Sequence, residues 1–144
     1  MASTSSLPVN IVGGICVGLG INCLISPRAE YTRFGLPLEP SQPEATAGNK
    51  KLPGSESSSD GAVSPLMYMK GIRELTYGIA LIALQYQGLY TGVTTFLAVC
   101  SLAGLGDGIV IWFWKDNKLK SKAFSHWSFF VAVAGWAAWR TGGI

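Results

Sequence analysis

Four apolar stretches, Leu7 to Ile25, Met67 to Tyr86, Leu89 to Phe113 and Ala123 to Trp139, take up more than half of this chain and limit what it can become. Each is about 17 to 25 residues long, the length at which a helix crosses roughly 30 Å of hydrocarbon. Backbone inside a bilayer must satisfy its own hydrogen bonds, so spans of this kind are helices. The expected fold is therefore all-α: an integral membrane four-helix bundle, one domain over residues 1–144. Composition agrees, with a mean hydropathy of +0.33, 49% hydrophobic residues and 13% charged ones. An ordinary soluble domain carries about 25% charged residues. The net charge of +3 is too small to suggest nucleic acid, and the lysines collect where apolar stretches end.

The first stretch resembles the core of a signal peptide but lacks a basic flank, and Asn22 and Pro27 stand where a small-residue cleavage site would be, so a retained helix is expected. Gly14 and Gly18 in it form a small-xxx-small pair suited to close helix approach, within the bundle or in a homodimer. Cys16, Cys23 and Cys100 lie in apolar segments without metal-ligand spacing; they read as small buried hydrophobes, with no disulfide, metal or cofactor.

Lysine and arginine set the expected orientation. Arg28, Arg33, Lys50 and Lys51 follow the first span, Lys115, Lys118, Lys120 and Lys122 follow the third, and Arg140 alone lies at the opposite side. The positive-inside rule then places both long connections in the cytoplasm and both termini in the lumen, in a membrane such as the endoplasmic reticulum. Glu39 to Pro65 is rich in Pro, Ser, Gly and Glu and reads as a flexible loop; its Ser55 to Asp60 run reads as solvated linker. Pro27 to Pro37 alternates Tyr31, Phe34 and Leu36 with Arg28, Glu30 and Arg33, which suits a short interfacial turn or helix.

Antiparallel spans bring polar residues to a common depth. At about 1.5 Å per residue, Asn22 lies about 5 Å, Glu74 about 10 Å, Asp107 about 9 Å and His126 about 5 Å from the cytoplasmic ends of their helices. The opposite halves, with IALIAL, TTFLAV and FFVAVAGWAA, hold no ionisable side chain. Such a layer predicts a polar pocket facing the cytoplasmic interface above an apolar floor, since ionisable groups at membrane depth are rare outside functional sites. Lys70, Glu74 and Tyr77 share one helical face with Arg73 close beside it. A guanidinium near two carboxylates can orient a base and an acid, as general acid–base catalysis requires. Gly104, Gly106 and Gly108 leave the backbone bare around Asp107.

Each residue also has a plainer reading. Arg73 with Glu74 or Asp107 would serve as a structural ion pair, Lys70 would snorkel to the surface, His126 would sit at the interface, Asn22 would bond helix to helix, and Tyr77 would pack.

The runs SPRAEYTRFGLP, GIRELTYGIALIAL, GLGDG and SHW resemble a mostly fungal family of small four-helix integral membrane proteins, catalogued as a domain of unknown function and encoded in secondary-metabolite pathways. The resemblance covers the chain apart from the Glu39 to Pro65 loop. By analogy with small membrane hydrolases and cyclases of polyketide and terpenoid routes, it implies an epoxide-opening enzyme with Arg73, Glu74, Asp107 and His126 as its site. Asp107 is then cast as base and Glu74 as acid, with Asn22, Tyr77 and Trp127 contacting a lipophilic substrate drawn from the membrane lipid. A terpene cyclase or isomerase, using Trp112, Trp127, Phe129 and Tyr77 around a cation, and a non-catalytic scaffold or transporter component are the alternatives.

Overall fold

A computed structural model describes residues 6–34, 38, 61–113 and 120–142. Most of the Glu39 to Pro65 connection, together with Leu36, Trp114, Lys115 and Lys118, lies outside the described residues. Among the described residues the regular elements are five helices: α1 Ser6–Ile25, α2 Pro27–Phe34, α3 Pro65–Tyr86, α4 Tyr90–Phe113 and α5 Lys120–Gly142. The all-α expectation holds.

Local chemistry sets the breaks. Pro27 cannot continue the ladder of α1, and it starts α2 as a first-turn proline. Ser64 caps α3, its hydroxyl accepting from the Leu66 amide at 3.3 Å, with Pro65 just inside the helix. Gly88, at φ +70, turns the chain from α3 into α4. The tip of α2 is tied to the start of α3, because the Ser64 amide donates to the Tyr31 hydroxyl at 2.7 Å.

Packing divides the long helices into two antiparallel pairs, α1 with α3 and α4 with α5. The first pair closes on four glycines. A Cβ on Gly20 would stand 2.7 Å from the Gly71 carbonyl, and one on Gly78 would stand 2.5 Å from the Gly13 carbonyl. Gly13, Gly20, Gly71 and Gly78 therefore let two backbones touch. Gly14 and Gly18, the pair expected to mediate approach, face open space. Gly14 and Gly18 share a face of their own, rotated from the Gly13 and Gly20 face that meets α3, since each residue turns the helix by about 100°. In the second pair Gly104 and Gly108 abut Phe129 and Trp127 of α5, whereas Gly106 faces open space. The pairs meet mainly along α3 and α4, and Val9, Leu81, Val93, Leu97, Val133 and Ala137 form the core that joins all four long helices.

Among the described residues two helices, α1 and α4, are long and apolar enough to cross a membrane, and only 28% of each apolar window is buried. A core helix of a soluble protein would be mostly covered. Ile11, Ile21, Val99, Leu102 and Val110 point outward, so these helices are apolar on both faces. Among the expected spans, α3 and α5 have the length but carry Lys70, Arg73 and Glu74, and Lys120, Lys122 and Arg140, which lower their hydropathy.

One substitution at two glycines separates contact from exposure. Gly20→Ala is expected to destabilise the protein by about 1–3 kcal/mol through overpacking. Gly14→Ala should be neutral or stabilising by up to about 1 kcal/mol. Equilibrium unfolding in mixed detergent micelles measures both, and equal effects would contradict the packing described.

Candidate functional site

The two helix pairs are held apart around a cavity of about 310 Å³, walled by residues from all five helices. One face of α3 sets its axis: Lys70, Glu74, Tyr77 and Leu81 recur at helical spacing and all reach the wall. From Lys70 to Leu81 the wall descends about 16 Å at 1.5 Å per residue. Lys70, Glu30, Arg33, Ser125 and His126 stand at the polar end, Glu74 and Asp107 come next, and Val12, Leu81, Leu97 and Val133 form the floor. The thiols of Cys16 and Cys100 also face the cavity, and the three cysteines are free.

Asp107 and Arg73 join the helix pairs. Arg73 Nη2 lies 2.8 Å from Asp107 Oδ2 and Nη1 lies 3.5 Å from Oδ1, a two-point contact from α3 to α4. The same guanidinium is 3.6 Å from Glu74. Arg73 thus stands between two carboxylates, as the layer of polar residues implied. Arg73 itself is not a wall residue. Its side chain is 33% exposed, against 17% for Glu74 and 19% for Asp107, and it grips both carboxylates from the α3–α4 edge.

His126 reaches the cavity from α5 and is fixed there from α2. Its Nε2 lies 3.1 Å from the Phe34 carbonyl, and the two rings meet edge to face with centroids 4.8 Å apart. A ring nitrogen facing a carbonyl donates, so this contact sets the tautomer of a neutral imidazole. Tyr77 lines the wall and packs edge-on against Phe96.

Two expected substrate contacts fall elsewhere. The Asn22 amide donates to Glu30 and does not line the cavity, because α2 folds back and places a buried carboxylate against it. Trp127 is turned onto Gly108, tilted against Trp112 and edge to face with Phe124, so it packs α5 on α4 instead of lining the wall. Lys70 does not snorkel outward: it is half-buried on the wall, 3.6 Å from the Cys23 thiol.

Glu30, only 1% exposed, was not among the expected site residues. It accepts from Asn22, lies 3.3 Å from Arg33 and 3.8 Å from the Cys23 thiol, and forms part of the wall. The spacing 22, 26, 30 was the available signal, since it keeps one helical face running across the proline break. Among the described residues no group of His, Cys, Asp and Glu is arranged to hold a metal.

The chain belongs to the family described as domain of unknown function (DUF4267), whose match covers residues 13–140. That stretch contains every wall residue except Val12. No curated protein and no solved structure matches the chain.

The bridge across the pairs has a measurable coupling. Arg73→Gln leaves Asp107 without its counter-charge and should cost about 2 kcal/mol, less than a fully buried pair because the guanidinium is partly exposed. In a cycle with Asp107→Asn, a coupling of about 1–2 kcal/mol is expected in detergent unfolding, and additive effects would contradict the bridge.

Proposed function

We propose that this protein is a membrane-embedded acid–base enzyme that opens an epoxide on a lipophilic small molecule, with the chemistry carried by its own side chains. In this reading α1, α3, α4 and α5 cross the bilayer as a four-helix bundle, α2 lies at the cytoplasmic interface, and both termini are lumenal, in a membrane such as the endoplasmic reticulum. The observation that carries the reading is the placement of two carboxylates, Asp107 and Glu74, on one cavity wall with Arg73 gripping both. The resemblance of its motifs to membrane proteins of fungal secondary metabolism directs the choice of epoxide, on a polyketide or terpenoid skeleton.

The roles derive from the contacts. Asp107, held at two points by Arg73, accepts the proton of a water or substrate hydroxyl. The oxygen so released forms a bond to one epoxide carbon, the C–O bond of the ring breaks, and the departing oxygen takes a proton from Glu74. Proton transfer from Asp107 back to Glu74 through water restores the starting state. Arg73 acts through the carboxylates and is a positioning residue. His126, fixed by Phe34, orients the attacking oxygen from the side of α5. The apolar floor receives the hydrocarbon part of the substrate, and removal from bulk water strengthens each charge–charge contact.

A cyclase would use the same acid with aromatic side chains around a carbocation. Tyr77, Phe34 and Phe129 line the wall for that purpose, whereas Trp112 and Trp127 are occupied by packing. A scaffold would need the polar layer only for assembly.

Asp107→Asn separates these readings. Per molecule of assembled protein, membranes carrying the variant should convert a panel of lipophilic epoxides at least about 100-fold more slowly, in line with loss of a general base. Oxygen from labelled water in a diol product identifies hydrolysis. Unchanged conversion by the variant would overturn the catalytic assignment.

A further inference from the structure

Among the described residues three cations, Lys70, Arg33 and Arg73, stand at or beside the cavity, and two are committed to carboxylates. Arg73 grips Asp107 and Glu74, and Arg33 lies 3.3 Å from Glu30. Lys70 is different. Its ammonium lies 3.6 Å from the Cys23 thiol and 5.0 Å from the centre of the Phe34 ring, and among the described residues no carboxylate is within ion-pair reach of it. Glu30, on the far side of Cys23, is already engaged by Asn22 and Arg33. A thiol and a ring face are weak partners for a half-buried group with three strong donors. Lys70 is part of the cavity wall, so a ligand in the cavity comes within reach of its side chain.

We propose that Lys70 anchors the acid group of an amphiphilic ligand, a single apolar chain ending in a carboxylate or phosphate, whose hydrocarbon part runs down to the floor of the cavity. The wall favours this orientation because its polarity falls steadily along α3, from Lys70 through Glu74 and Tyr77 to Leu81. A charge-assisted contact at the polar end and apolar burial at the other reinforce each other in one ligand. Binding itself is independent of the acid–base reading, and only the fate of the bound ligand rests on it: with its acid on Lys70, the ligand would place a reactive carbon beside Glu74, about 6 Å deeper along the helix. An anionic membrane lipid presents the same head chemistry, so the test must tell it from a free single-chain acid.

The probe is 11-(dansylamino)undecanoic acid, with its methyl ester as the uncharged control, added to the full-length protein in phosphatidylcholine nanodiscs and followed by dansyl fluorescence. The protein should bind the acid at least about tenfold more tightly than the ester. Lys70→Met should bind the two alike while keeping ester affinity, which shows that the cavity has folded, and Lys70→Arg should restore the preference. Equal binding of acid and ester by the original protein, binding of neither, or an undiminished preference in Lys70→Met would overturn the proposal. Replacing part of the lipid with phosphatidylglycerol should leave acid binding unchanged; strong competition would assign Lys70 to a lipid headgroup and overturn the single-chain ligand. Binding is read without turnover, so a lost preference refutes the anchor alone, and an intact preference in a chain that converts no epoxide refutes the catalytic reading alone.

Discussion

The contact between Arg73 and Asp107 is the point on which the rest of the arrangement depends. Glycine contacts bring α1 onto α3 and α4 onto α5 so closely that each pair behaves as one slab. The slabs meet at the apolar core of Val9, Leu81, Val93, Leu97, Val133 and Ala137, and a guanidinium reaching from α3 to α4 with two contacts adds the polar link that sets their register. A pair of opposite charges in an apolar setting contributes little net stability relative to well-packed hydrophobes, yet it penalises any arrangement that separates its members. The bridge therefore specifies where the slabs meet and leaves a void on one side of it.

That void has a gradient built from helix geometry. The residues of α3 that face it are spaced at helical intervals, so a descent along one helix passes from an ammonium to a carboxylate, a phenol and a leucine. Arg73, one position from Glu74, falls just off this face. It can hold both carboxylates without occupying the space a ligand would take. In the proposed enzyme this division matters, because the groups that exchange protons line the cavity while the group that orients them stays at its edge. The short helix α2 completes the polar end: Tyr31 ties it to the start of α3, Phe34 holds His126, and Glu30 occupies the Asn22 amide.

Periodicity and length make part of this arrangement legible in the chain itself. Helical character and the shared depth of Glu74, Asp107 and His126 both come from period and rise per residue applied to apolar runs. Azimuth is harder to read. Gly14 and Gly18 look like a contact pair until Gly13 and Gly20 are seen to point at α3, and only the position of the partner helix decides between two glycine faces. Trp127 misleads for the same reason: a residue at the right depth is turned toward Gly108 instead of the cavity. Glu30 and Lys70 each look like a surface charge near a helix end, and the fold-back of α2 over the end of α1 is a tertiary fact with only a faint local signal. Arg73 was expected beside the two carboxylates, and its guanidinium lies between them at the edge of the wall instead of on it.

The contact that sets the register can be measured directly. Solid-state nuclear magnetic resonance on the protein in lipid bilayers, with labels on the Asp107 carboxyl carbon and the Arg73 guanidinium nitrogens, reports their separation through dipolar coupling. A carbon–nitrogen distance within about 4 Å is predicted, as hydrogen-bonded ion-pair geometry requires. The absence of measurable coupling between the two labels would contradict the account, because the slabs would then meet in some other way.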